Sequence, residues 1–169
     1  MNQIVNNIFI KTYKFNSSRE ASTFLNNQVT DKILYLNGTY GDYYYCSVGY
    51  HSLTREKKFV LAFDSDFRED NLNLLFWDNS LVLDTGRSIY FIDENLNVKA
   101  QIEFSGLLNG LYLINVEKLL VLGEIFLTVI NYDGVVVMDE SFDRIEHFNI
   151  KDNVLSIQTS EENKVFQLT

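Results

Sequence analysis

Apolar residues fall in short runs along almost the whole chain, and polar, turn-forming residues separate them. Ile4 to Phe15 reads as a strand with apolar residues on both faces. The next stretch carries the single good helix signal. Ser17 or Ser18 is placed to cap, Ser17-x-x-Glu20 is a capping box, and Ala21, Phe24 and Leu25 share one face. Asn26-Asn27 ends that helix after about three turns.

From Lys32 onward the pattern predicts strand and turn. Ile33 to Leu36 and Tyr43 to Val48 flank the Gly-rich segment from Asn37 to Asp42, which reads as a hairpin connection. Further strands are expected at Phe59 to Phe63, Leu72 to Trp77, Leu81 to Leu83, Ser88 to Ile92, Val98 to Phe104 and Leu111 to Ile114. Leu119 to Leu122, Phe126 to Ile130, Val135 to Met138, Ile145 to Ile150, Val154 to Ile157 and Val165 to Leu168 complete the set. Short, even spacing of this kind marks an antiparallel all-β chain.

A shift of 38 residues superimposes one part of this pattern on another: Asn71 falls on Asn109, Leu81 on Leu119, Ile92 on Ile130, Val98 on Val136 and Phe104 on Phe142. A third, shorter copy starts near Ile145, with Val154 to Ile157 and Val165 to Leu168 as its second and third strands. Units of four short strands joined by tight turns resemble the blades of a β-propeller over about Asn71 to Thr169. A Trp-Asp pair occurs at Trp77-Asp78, but in the wrong strand and unrepeated. The expected fold is therefore all-β, built of antiparallel repeats of about 38 residues in a propeller-like or β-sandwich arrangement, with one short N-terminal helix. The chain reads as one domain, 1–169, with N-terminal strands and helix over 1–70 and the repeats over 71–169.

Composition supports this reading and narrows the partners. Thirteen Phe and ten Tyr suit a pleated, half-buried surface, and the absence of proline removes the usual linker markers. The formal charge is −9 at pH 7. An acidic surface repels nucleic acid and anionic lipid and attracts a basic protein. No apolar run approaches the roughly 20 residues needed to span a bilayer. The N-terminal segment lacks the basic and apolar regions of a secretory signal. A cytoplasmic monomer is the expectation.

Candidate chemistry is sparse. Leu81-Val82-Leu83-Asp84-Thr85-Gly86 resembles the Asp-Thr-Gly element of aspartic proteases. Arg87 stands where that family has a small residue, and the repeat places Asp84 at a hairpin turn, where Asp and Gly serve local geometry. His51 and His147 are the only histidines, a conceivable acid–base pair. Cys46 lies in an apolar stretch with nothing basic in view, as a buried structural thiol does. The run Asp64-x-Asp66 with Glu69 and Asp70 lacks the glycine and glutamate that a calcium loop needs. No catalytic residue, metal or cofactor is expected.

Surface recognition is the better candidate. Tyr40, Tyr43, Tyr44, Tyr45 and Tyr50 crowd one hairpin beside Asp42, and strand alternation should send some of them outward. Tyr40, Asp42, Tyr43 and Tyr45, with Asp64, Asp66, Glu69 and Asp70, are the expected partner-binding residues. In size, charge and missing catalytic motifs the chain resembles small acidic bacterial immunity proteins. That resemblance implies a non-enzymatic protein that neutralises a cationic toxin, such as a nuclease, by covering its active site. The alternative is a structural or scaffolding β-repeat module that binds a peptide or a subunit, and a remote third is a protease-like enzyme using Asp84.

Overall fold

A computed structural model describes residues 2–5, 7–28, 32–36, 41–66, 72–77 and 80–168. They contain sixteen strands and one helix, and the chain divides into two compact units, Met1–Ile102 and Glu103–Thr169. The boundary falls at the end of the first four-stranded repeat.

Within Met1–Ile102, the expected first strand is two. β1 (Asn2–Val5) and β2 (Ile8–Phe15) form a hairpin in which Val5 pairs with Ile8. Asn7 takes a φ of +62°, a left-handed conformation that Asn tolerates better than most residues. Helix α1 (Ser18–Asn26) follows with Ser17 as N-cap. Ser17 Oγ accepts the Glu20 amide at 3.3 Å, and Glu20 Oε2 accepts the Asn16 amide at 3.0 Å. Two backbone donors at the helix start are thereby satisfied.

The helix also decides the strand order. β3 (Ile33–Tyr35), β4 (Tyr43–His51) and β5 (Lys57–Ser65) join the first two in a sheet ordered β1-β2-β4-β5-β3. β3 pairs in parallel with β5, not as a hairpin with β4. A helical crossover from β2 returns the chain in the same direction, so β3 runs parallel to β2 and finds the free edge of β5. Both faces of this sheet are covered. Cys46, Val48, Val60 and Ala62 pack under Ala21 and Leu25 of the helix. Their strand neighbours Tyr45, Phe59, Leu61 and Phe63 point the other way, into a core with Leu74, Leu83, Tyr90 and Ile92.

Those last residues belong to the first repeat, a four-stranded sheet of β6 (Asn73–Trp77), β7 (Ser80–Asp84), β8 (Ser88–Ile92) and β9 (Val98–Glu103) in sequential order. The second repeat, in Glu103–Thr169, has the same order in β10 (Leu108–Leu113), β11 (Lys118–Gly123), β12 (Phe126–Asn131) and β13 (Val136–Ser141). β8 and β9 begin 38 residues before β12 and β13, as the sequence periodicity requires. The third repeat shows three strands among the described residues, β14 (His147–Lys151), β15 (Val154–Gln158) and β16 (Asn163–Gln167). It packs Leu155, Ile157 and Leu168 against Leu120, Leu122, Leu127 and Val129 of the second. The architecture is all-β, with blade-like antiparallel repeats and one short helix; the parallel β3–β5 pair is its exception.

Candidate functional site

The tyrosine-rich strand is mostly core. β4 is covered on both faces, so alternation sends Tyr44 and Tyr50 toward the helix and Tyr43 and Tyr45 toward the opposite core. Tyr45 is 1% exposed and stacks on Phe63 at 5.6 Å between ring centroids. The expectation that it anchors a partner is therefore corrected: a second covered face leaves it no outward direction. Tyr43 is half-buried beneath the Lys14 ammonium, 3.8 Å from its ring centroid. Asp42 is exposed. Tyr40, Glu69 and Asp70 lie outside the described residues.

Asp64 and Asp66 are tied into the fold rather than held out to solvent. Asp66 is bridged by Arg87 at 2.9 Å and its amide donates to Thr85 O at 3.2 Å. Ser65 Oγ donates to the same carbonyl at 3.0 Å. Asp64 faces Tyr44 across the β4–β5 pair, and burial holds its carboxyl above the usual range. Asp64, Tyr44 and Tyr45 do meet at one place: a cleft of about 200 Å³ between α1 and the sheet, which Tyr35 and Leu36 also line. No lysine, arginine, histidine or cysteine lines it.

Asp84 is a turn anchor. Fully buried, it accepts the Gly86 amide at 2.7 Å and the Asn73 Nδ2 at 3.1 Å. Gly86 has φ +101°, which a side chain would resist, and a Cβ there would lie 3.2 Å from Asp66 Cβ. Desolvation pushes the Asp84 carboxyl up to about 7, against the pull of its two hydrogen bonds. A carboxyl shifted this far is a candidate for chemistry only where substrate can reach it. Asp84 has no exposed surface.

The other candidates are local too. His51 Nδ1 accepts the Thr54 amide at 3.3 Å within its own turn, and His147 is an exposed strand residue of the other unit. Burial raises the Cys46 thiol to about 12, far from the thiolate that nucleophilic chemistry needs. Among the described residues there is no cluster of three or more metal-ligating side chains, and no helix is long and apolar enough to cross a membrane.

What the sequence reading missed is where the charge lies. Glu103–Thr169 carries eleven acidic and four basic residues, net −7, whereas Met1–Ile102 carries twelve and ten, net −2. The signal was countable, but only once the boundary was known. In the acidic unit a cleft of about 260 Å³ opens beside the β15–β16 turn, lined by Ser141, Phe142, Asp143, Thr159, Glu161 and Glu162. The Phe142 ring meets Phe166 of β16 edge-on at 6.3 Å, with Lys164 over it at 5.1 Å. Lys164 in turn is paired with Glu162 at 3.2 Å and Glu140 at 3.8 Å.

This architecture is that of blade-repeat β proteins, and comparison with solved structures agrees. The chain is similar to BamB from Moraxella catarrhalis, a β-propeller protein, with TM-score 0.52 and 13% identity over 73% of this chain and 40% of that one. It is similar to BBS1N in its complex with ARL6DN (TM-score 0.52, 9% identity, 75% of this chain and 47% of that one). A eukaryotic initiation factor gives TM-score 0.51 and 11% identity over 74% of this chain and 39% of that one. The chain thus spans less than half the length of these proteins, and the likeness concerns the fold. No protein-family model matches the sequence, and no curated protein matches it.

Proposed function

We propose that this chain is a non-enzymatic β-repeat module that binds a protein partner, as a peptide or as a subunit of an assembly. The observation that carries the reading is the charge of the repeat unit Glu103–Thr169, net −7 on a sheet scaffold. Such a field draws in a basic partner and speeds its association by roughly 10- to 1000-fold. The structure of BBS1N with ARL6DN provides one case of a similar fold in a complex with another protein. Asp84, Cys46 and His51 have structural work within their own turns or core, which favours binding over catalysis. The cytoplasmic address and the monomeric state expected from the sequence belong to this proposal. Toxin neutralisation is a narrower form of it that no particular contact favours. Asp42, Tyr43, Asp64 and Asp66 remain proposed contacts, with Asp66 weakened as one by its bond to Arg87.

The test is stoichiometric co-purification from the native host, followed by titration of the identified protein at low and high salt. A one-to-one complex whose association slows as salt shortens the screening length supports the reading. Turnover of a small molecule, or no stoichiometric partner, overturns it.

A further inference from the structure

Three neighbouring strands bring a carboxylate and two tyrosines to one face of the N-terminal sheet. Asp64 pairs directly with Tyr44 across β4 and β5, and Tyr35 of β3 pairs with Ala62, two residues before Asp64. Tyr44, Ile33 and Ala62 pack on the helix side of the sheet. Alternation places Asp64 on that side with Ala62, and Tyr35 there with Ile33. Because β5 lies between β4 and β3, the Asp64 carboxylate has a tyrosine-bearing strand on either side.

The helix leaves this place open. α1 turns Ser18, Ala21, Ser22 and Leu25 toward it, a single stripe by helical spacing, and the first three are small. A cleft of about 200 Å³ remains between that stripe and Tyr35, Tyr44 and Asp64. Ser18 and Ser22 are exposed and Tyr35 is 52% exposed, so the cleft is open to solvent. Its volume falls below the roughly 300–1,000 Å³ of cofactor and small-molecule sites and suits one side chain.

Chemistry selects the side chain. An apolar one would cover the Asp64 carboxylate without compensation, and an anion would be repelled by it. A cation answers both the carboxylate and the tyrosine rings. Burial holds the Asp64 carboxyl above its usual range, so its charged form gains more from an arriving cation than a fully hydrated acid does. The cleft runs along the helix flank from Ser18 to Leu25, and the positive field of a helix start fades within its first turn. Of the two long cations, guanidinium suits the site better. It is planar and weakly hydrated, pairs with a carboxylate through a fork and stacks on aromatic rings. A carboxylate offers about four acceptor positions, so a bond within the fold still leaves room for that fork.

We infer that the cleft between α1 and the sheet receives an arginine side chain of the protein partner, its guanidinium paired with Asp64 and its flat face against Tyr35 and Tyr44. The inference rests on the protein-binding reading above and deepens it, naming the group that one proposed contact takes. The hydroxyl oxygens of Ser18 and Ser22 are acceptors for the remaining guanidinium N–H groups.

The probe is arginine blocked as its Nα-acetyl amide, titrated into the full chain and followed by amide resonances. The citrulline analogue keeps the shape and loses the charge, and the lysine analogue keeps the charge and loses the fork. The arginine probe should shift Ser22, Tyr44 and Asp64 and saturate at millimolar concentration. The citrulline analogue should bind at least ~tenfold more weakly and the lysine analogue at least ~threefold. Asp64→Asn should weaken the arginine probe at least ~tenfold with the strand spectrum retained. If that variant unfolds, the citrulline comparison decides on the unaltered chain. Equal binding of citrulline or of lysine, or shifts confined to residues outside α1 and β3 to β5, overturns the inference. The host partner should compete with the probe. A partner that binds stoichiometrically without displacing it, and binds Asp64→Asn equally well, sinks this inference and leaves the protein-binding reading standing. With no stoichiometric partner, that reading falls and the inference falls with it.

Discussion

Substituting Asp84→Asn should remove most of a pH dependence that the fold builds into the Met1–Ile102 unit. Asp84 is fully buried, and its carboxyl is raised from 3.8 to about 7 by desolvation. In the unfolded chain it loses its proton near 3.8, whereas the folded chain keeps it until about 7. The folded state therefore binds the extra proton in that window, and stability falls as pH rises through it. The contribution is fully present below 3.8 and is lost by the time pH passes about 7. A shift of about 3 units at ~1.4 kcal/mol each amounts to roughly 4 kcal/mol. Asparagine cannot ionise. Its carbonyl still accepts the Gly86 amide, and the Asn73 carboxamide must turn over to accept from the new amino group, at a cost of about 1 kcal/mol. At about pH 8 the variant should thus exceed the wild type by a few kcal/mol, and at about pH 4 it should be equal or slightly weaker. Urea unfolding followed by the fluorescence of Trp77 reads this unit directly. Trp77 is the only tryptophan, 3% exposed, and lies in the strand beside β7. The other carboxylates titrate alike in both proteins, so the difference isolates Asp84. Parallel stability curves, constant to about 0.5 kcal/mol across the range, would refute the reasoning.

Two further outcomes follow from the packing. Cys46, with no exposed surface and a thiol raised to about 12, should resist a thiol-specific disulfide reagent at neutral pH and react only as fast as the chain opens. Rapid labelling of native protein would contradict its burial. Leu122→Ala empties a fully buried position between the second and third repeats and should cost roughly 2–5 kcal/mol. Val165→Ala on the exposed face should cost less than about 0.5 kcal/mol, and circular-dichroism melts that failed to separate the two would undo the core assignment.

The elements nearest in sequence were the most legible. The Ser17 cap with Glu20 placed the helix because capping bonds reach only three or four residues. The repeat placed β8 at Ser88–Ile92 and three strands in the last copy, since each unit imposes its own alternation. The Asp84 turn was legible for the same reason, as a short-range bond to Gly86. Errors came where neighbours far along the chain decide. The Asn6-Asn7 pair held a turn signal, but apolar residues on both sides masked it as one strand. Asn37 to Asp42 looked like a hairpin link, yet the crossover through α1 sent β3 to the far edge of β5.

Alternation along β4 turns the successive tyrosines Tyr43, Tyr44 and Tyr45 to opposite faces of the sheet. Which direction is solvent is not a property of β4. The helix covers one face and the first repeat covers the other, so Tyr45 became core. In the same way the amount of charge, −9, is a sum over the chain, while its concentration in Glu103–Thr169 depends on where the contacts divide. The sequence alone therefore determined the strand content, the period and the acidity, because each is set by local propensity or simple addition. Tertiary structure alone decided which faces of β4 are covered, because the cover comes from the helix and the first repeat, elements distant in sequence.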